Sequence, residues 1–547
     1  PGCGVTVDAA KTGASYTTLT AALAAVPASL SAETCVVIRD SATYLEQVTV
    51  SNKATNGFRL RILGDPTLAS PPTIDPPAAS TAAFQVKASS VSIETLRVAP
   101  SVTLNWGIAA SSAYLKVSGV LVEASTQVAV AAIDMESYGR VEFSTVAVGG
   151  ARAVYFNGAG AHHNTLYRST FSNASAANHT LWVSGPDNTI LESAAHNTAG
   201  LAVMLGDING VMDRSTATAG AIGNYAASFA AGSSSNTITR SFLRSSVGRG
   251  LSMAGSYQSV VDSTITTTGA SEYGLVMVGV THSTVSRAYI YSATGIAMSL
   301  SAGANGNAIS ENTLLSDAPA GYALYLTSAA GNVILSNLIT NTTGYAAFLG
   351  TNANGNRIDL STITARTSGY SALYLDNAST NTISRSYLYS LAGTAVTFGF
   401  ASSSNTLSMS TAVASGVASK AFHLYSAPDT WVSDSWLLGA GYGVYAEFGQ
   451  RALIARSTVT GSGAVPAFMV AGSSGISLRD SYVAGPDALD IFTGTATVLE
   501  RSVFYATGGS GRAVQVRGGS VGFSLAASTL SATAIGLLID PDAAGPL

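Results

Sequence analysis

From Val91 onward, apolar residues return at two fixed positions of an eight-residue phrase that recurs about every 24 residues. It reads NRIDLSTI at Asn356, NTISRSYL at Asn381 and NTLSMSTA at Asn405. Its first positions fall at 91, 113, 139, 164, 188, 210, 236, 258, 283, 307, 332, 356, 381, 405, 430, 452, 476, 497 and 523, and the third and eighth positions are apolar at every return. A short β unit repeated at this period predicts a solenoid in which each coil buries its apolar face against the next. Because side chains alternate along a strand, positions three and eight have opposite parity and cannot both point inward from one straight strand. A sharp bend must lie between them.

The sixth position is small and polar at nearly every return, beginning with Ser118 and Ser144. A small polar side chain at the bend can hydrogen-bond its counterparts in the coils above and below, so Ser241, Ser263, Asn312, Asn337, Ser361, Ser386, Ser410 and Ser435 are expected to form a structural ladder. A serine there reads as a rung and not as a nucleophile. Each coil continues into a second strand opened by glycine, such as GYALYL from Gly321 or GTAVTF from Gly393. Turns such as SAGANGN follow, where Gly and Asn supply positive φ. A third face is expected to be short and poorly marked.

The column resembles the internal Asn and Ser ladders of the pectate-lyase superfamily. The resemblance implies an all-β, right-handed parallel β-helix of about 19 or more coils. Residues 1–57 differ from the rest: in YTTLTAALAA from Tyr16, residues Leu19, Ala22 and Leu23 share one face of a short amphipathic helix. The strands CVVIRD and LEQVTV follow. A helix laid over an open solenoid end is a capping device. This opening is similar to the N-terminal cap of pectin methylesterases, although Tyr44 follows Thr43 where that family usually has Gly. The expected organisation is a cap over 1–57 and a β-helix over 58–547. The phrase fades after Leu530 into LLIDPDAAGPL without an evident capping helix, which suggests further chain or a packed partner at that end.

Three outward columns could carry recognition. The fifth position collects charges that mostly alternate in sign, including Arg168, Glu192, Arg214, Asp434, Arg456, Asp480 and Arg501. Neighbouring opposite charges read as cross-strand pairs that hold register. The seventh position alternates bulky residues with threonine, giving Tyr289, Tyr387, Trp436 and Tyr482. A parallel column on the second strand holds Tyr325, Tyr374, His423 and Tyr445. Flat rings spaced along a sheet can stack on the apolar C–H faces of sugars, and they can equally cover the small residues beside them. These eight residues are the candidate carbohydrate-binding set.

Composition narrows the partners. Only 10% of the 547 residues are charged, against about 25% in ordinary chains, and the net charge is −4. With no basic run, nucleic acid is excluded as an expected partner. No stretch is long and apolar enough for a membrane span. Cys3 and Cys35 are expected to form a disulfide, with free thiols as the alternative, and a disulfide would imply an oxidising, extracellular or cell-surface setting. No metal-ligand spacing, phosphate loop or cofactor motif occurs. The catalytic phrases of pectin methylesterases, polygalacturonases and pectate lyases are not found, so no catalytic residue is assigned and the chain leans away from being an enzyme. The leading expectation is an extracellular structural or adhesive rod, fibre-forming or part of a larger surface protein, with polysaccharide or further copies of itself as partner. The alternative is a polysaccharide-binding or polysaccharide-degrading protein.

Overall fold

The computed structural model describes residues 3–156, 158–367 and 369–540. It divides into two compact units, residues 1–267 and 268–547. The chain is a β-solenoid of about 21 turns, with one helix among the described residues. The coil at Asn381 shows the plan. Thr382–Ser384 lies in a first sheet, Tyr387–Ser390 in a second and Val396–Phe398 in a third. Each strand pairs in parallel with its equivalent one coil away, for example Ile383 with Ile358 and Leu407. Ile383, Leu388, Val396 and Phe398 point inward and are fully buried.

The eight-residue phrase thus contains two strands, and the glycine-opened strand belongs to the third sheet. The poorly marked face expected after that strand is only a turn, here Gly399–Asn405. The bend inside the phrase falls one residue earlier than the sequence suggested. The fifth position adopts left-handed backbone, with φ of 45° at Arg168, 46° at Arg385, 45° at Arg456 and 47° at Arg501. That conformation disfavours L-residues by roughly 1–2 kcal/mol. It persists because the coil satisfies the backbone there: the Arg385 N–H donates to the carbonyl of Ser408 at 3.1 Å.

Charges of the fifth column therefore stand on bends and not on strands. Some pair along the column, as Arg168 with Glu192 at 2.6 Å, Arg456 with Asp434 at 2.7 Å and Arg501 with Asp480 at 2.7 Å. Others reach back to the fourth position, as Arg240 to Asp213 at 2.7 Å and Arg385 to Asp359.

The sixth-position side chains link successive coils. In the first unit the backbone N–H groups of Ser144, Ser169, Ser193, Ser215 and Ser241 each donate to the hydroxyl of the next serine at 3.1–3.2 Å. In the second, Ala288 donates to Asn312, Asn312 to Asn337 and Asn337 to Ser361, and the serines continue from Ser386 and Ser410 to Ser435. A second ladder occupies the first position. Asn307, Asn332, Asn356, Asn381 and Asn405 are buried, and each N–H in the run donates to the next Asn Oδ1 at 2.8–2.9 Å. The phrase itself carries that column, which the reading of the sixth position passed over.

The return placed at 113 is two residues out. Val117 pairs with Ile93 and Val141, so the sixth position of that coil is Val120, which donates to Ser144 Oγ at 3.1 Å. Ser118 instead lies in a strand and donates to Glu142. Leu115 and Val120 satisfy the apolar spacing as well as Val117 and Val122 do, so hydrophobicity alone could not set this register.

At the start, helix α1 spans Leu19–Ala25 and buries Leu19, Ala22 and Leu23. The Thr18 side chain caps it, and Glu46 accepts the N–H groups of Leu19 at 2.7 Å and Thr20 at 2.9 Å. Thr34–Ile38 pairs with Val5–Ala9 and Leu60–Gly64, so the first sheet already runs through these residues. Cys3 and Cys35 are joined by a disulfide. Beyond Leu530, Ile535–Ile539 still pairs with Arg512–Arg517, while residues 541–547 lie outside the described residues. Among the described residues no helix is long and apolar enough to cross a membrane.

Candidate functional site

In the second unit the outward side of the third sheet carries two groups of rings separated by a notch. Outward positions in register run Tyr325, Phe348, Tyr374, Thr397, His423, Tyr445. Beside them stand Tyr322, Tyr345, Lys420 and Tyr442. On one side Tyr322 stacks on Tyr325 at 4.9 Å and Tyr345 on Tyr374 at 5.8 Å, while Tyr370 meets Tyr345 edge-on at 4.9 Å. On the other side His423 lies 5.4 Å from Tyr445, Tyr442 lies 5.1 Å from Tyr445, and Tyr425 meets Phe448 at 6.3 Å.

The notch exists because one coil presents only small residues. Thr397 is the outward residue of the strand Val396–Phe398 between Tyr374 and His423, with Thr394 before that strand and Gly399 directly after it. The resulting cavity is about 230 Å³, lined by Tyr345, Ser371, Tyr374, Thr394, Thr397, His423 and Tyr425. At its floor the hydroxyls of Ser371 and Thr397 are 3.0 Å apart.

Burial raises the hydroxyl pKa of Tyr322, Tyr345, Tyr374, Tyr442 and Tyr445, so all five remain donors. His423 Nε2 lies 3.3 Å from Glu447 Oε2. Burial, reinforced by the Lys420 charge, pushes His423 down to about 3, so this contact is a hydrogen bond of a neutral imidazole and not an ion pair. The Lys420 ammonium sits 4.3 Å from the centre of the Tyr445 ring.

Of the eight candidates, the structure gathers Tyr325, Tyr374, His423 and Tyr445 onto this face. Tyr289, Tyr387, Trp436 and Tyr482 begin strands of the second sheet, where they are exposed and alternate with threonines. Tyr387 does stack on Tyr389 at 6.3 Å, but threonines in the neighbouring coils interrupt the column. The sequence reading missed Tyr322, Tyr345, Tyr370 and Tyr442. The signal was present in the Gly-Tyr dipeptides at Gly321, Gly344, Gly369 and Gly441, which open or shortly precede these strands.

The first unit holds a different cluster on its third sheet. The Arg152 guanidinium lies 4.7 Å from the Tyr155 ring centre and 5.1 Å from that of Trp182, without a carboxylate partner among the described residues. His179 meets Trp182 edge-on at 4.8 Å, and burial together with the Arg152 charge lowers its pKa to about 4. One strand earlier, burial and then Glu136 raise Asp134 to about 6. Trp106 Nε1, Arg152 Nε, His179 Nδ1 and Trp182 Nε1 are buried without hydrogen-bond partners. Among the described residues no group of three or more His, Cys, Asp or Glu is placed to hold a metal ion.

Residues 226–384 and 273–437 match the family described as "Right handed beta helix region". The chain is a right-handed parallel β-helix. That hand is the one a right-twisted strand favours when it crosses over to a parallel neighbour. No curated protein matches this β-helix. Among solved structures it is similar to the PL6 family alginate lyase AlyGC, at 9% identity over 93% of this chain and 96% of that one, with a TM-score of 0.33. It is also similar to the GH136 lacto-N-biosidase from Eubacterium ramulus, at 9% identity over 62% and 64%, with a TM-score of 0.31. The Azotobacter vinelandii mannuronan C-5 epimerase AlgE4 A-module matches at 10% identity over 89% and 91%, with a TM-score of 0.21.

Proposed function

We propose that this β-helix is an extracellular glycan-binding protein that adheres to polysaccharide through the aromatic face of its second unit. The observation that carries the reading is the pair of ring groups on either side of a hydroxyl-lined notch. Rings supply flat apolar area for sugar C–H faces, and hydroxyls supply hydrogen bonds for sugar O–H groups, which is the mixture that small-molecule sites use. Aromatic rings held by neighbouring rings and by the sheet lose little entropy on binding. The Cys3–Cys35 disulfide supports an extracellular setting.

The test is affinity electrophoresis and calorimetry against a polysaccharide panel, comparing the parent with Tyr345→Ala and Tyr374→Ala. Tyr387→Ala and Trp436→Ala on the second sheet serve as controls. Binding weakened at least tenfold by the first pair and unchanged by the second is expected. Absence of binding to every glycan overturns the proposal. Release of reducing or unsaturated sugars from the same panel would make the site catalytic and overturn a purely adhesive role.

A further inference from the structure

We propose that the notch at Thr397 takes an uncharged sugar ring, and that Thr397 and its small neighbours determine this specificity. The inference rests on the glycan-binding reading and narrows it to a ligand class.

Size limits the occupant. At about 230 Å³ the notch is smaller than the roughly 300–1,000 Å³ typical of pockets for drug-sized ligands, so it suits a single ring of a longer chain. The strands of Tyr374 and His423 are two coil steps apart, about 9.6 Å at ordinary strand spacing. One ring making van der Waals contact at about 3.5–4.0 Å on each side fits that interval. A bulkier residue at 397 would continue the column of rings and close it.

Charge limits the occupant further. None of the seven lining residues carries a charge, because His423 is held neutral. The groups just outside are mostly acidic. The Asp376 carboxylate adds to burial in raising Tyr374, and Glu447 does the same for Tyr445. Among the described residues the cation beside the notch is Lys420, which burial disfavours as a cation, which feels the Glu447 charge and which is engaged with the Tyr445 ring. A carboxylate or sulfate on the sugar would lose hydration here and meet no cation among the lining residues in return, and desolvating an unpaired charge is expensive. A neutral sugar needs only acceptors and donors, which Ser371, Thr394, Thr397 and the tyrosine hydroxyls provide.

The experiment measures binding of the full chain to neutral polysaccharides (a glucan, a galactan, a mannan and a xylan) beside polyuronate and sulfated ones. The variants are Thr397→Phe, which fills the notch, Thr397→Ser, which keeps it open, and Thr394→Phe, which blocks the rim should the first variant fold poorly. Thermal melting checks each fold. The expected result is binding to a neutral glycan that falls at least tenfold in both phenylalanine variants and within twofold of the parent in Thr397→Ser. Tighter binding of an acidic glycan, lost on filling the notch, overturns the neutral class while leaving the glycan-binding reading intact. Neutral binding indifferent to both phenylalanine variants overturns the notch as the site. No binding to any glycan removes the underlying reading itself.

Discussion

Tyr374 lies so close over Gly399 that a Cβ on the glycine would stand 2.7 Å from the ring carbon Cε2 and 3.0 Å from the hydroxyl oxygen. The same Cβ would be 2.8 Å from the carbonyl of Leu375, which the sheet holds in place. The glycine therefore sets where the ring rests beside the notch. Gly399→Ala is expected to cost about 1–3 kcal/mol, the usual range for overpacking, and to swing the Tyr374 ring toward Thr397. Melting temperature and glycan affinity should both fall. An unchanged affinity would show that Tyr374 does not depend on this contact.

Asp359 is fully buried, accepts from Arg385 Nε at 2.9 Å and Ser384 Oγ at 2.8 Å, and also contacts Arg357. The Arg385 hydrogen bond, aided by Ser384 and the two charges, holds this carboxyl down to about 2. A depressed carboxyl pKa stabilises the fold above the unfolded value near 4, and that contribution is lost as pH falls from about 4 to 2. Arg385→Gln should lower the melting temperature at pH 7, because the buried Asp359 carboxylate loses a charged hydrogen-bond partner. The deficit should shrink on acidification, read as the difference in melting temperature between pH 7 and pH 3.

Asn332 ties three coils together. Its Oδ1 accepts from Asn307 N at 2.9 Å, and its Nδ2 donates to Asn356 Oδ1 at 3.0 Å and to Ala304 O at 2.9 Å. Asn332→Ala leaves the Asn307 N–H buried without that partner. Leaving a buried group unsatisfied costs about 1–3 kcal/mol, so the variant should melt well below the parent although it removes only one exposed-free, uncharged side chain. Hydrogen exchange at the Asn307 amide should rise. If it does not, the ladder is ornamental to stability.

Asp134 is the reverse case of Asp359. Burial raises its carboxyl to about 6, so the folded state holds a proton that the unfolded chain has released above pH 4. Stability contributed by this group is full below pH 4 and lost as pH rises through 6. Asp134→Asn should therefore raise the melting temperature at pH 7.5 and bring no gain below pH 4. An equal gain at both pH values would show that the carboxyl is not strained by burial.

The fold was legible because one physical demand repeats in every coil. Inward positions must be apolar, so Ile383 and Leu388 announced the period and the core. The left-handed bend at Arg385 was not legible, since no glycine marks it and its conformation is sustained by the hydrogen bond that its N–H donates to the next coil. Register at Val117 was equally hidden, because two frames satisfy the same hydrophobic spacing. The candidate site was half legible. Tyr374 and His423 stood out as bulky residues in a column, whereas the notch depends on Thr397, whose small size means nothing until the rings on either side are in place.

His423 offers the sharpest test of that site's electrostatics. Its imidazole titrates near 6.5 in an unfolded chain and is pushed down to about 3 by burial and by Lys420. A folded pKa below the unfolded one means stability is present above pH 6.5 and is lost as pH falls toward 3, because the unfolded chain takes the proton first. His423→Gln should therefore melt with less acid sensitivity than the parent between pH 6.5 and pH 4. Glycan binding by the parent should stay flat from pH 5 to pH 8, since no charge changes on this imidazole in that interval. A step in affinity near pH 6.5 would mean that the ring is solvated and titrates normally. Lys420 would then face a cation instead of a neutral ring, and the notch would repel positive ligands and admit anionic ones in acid.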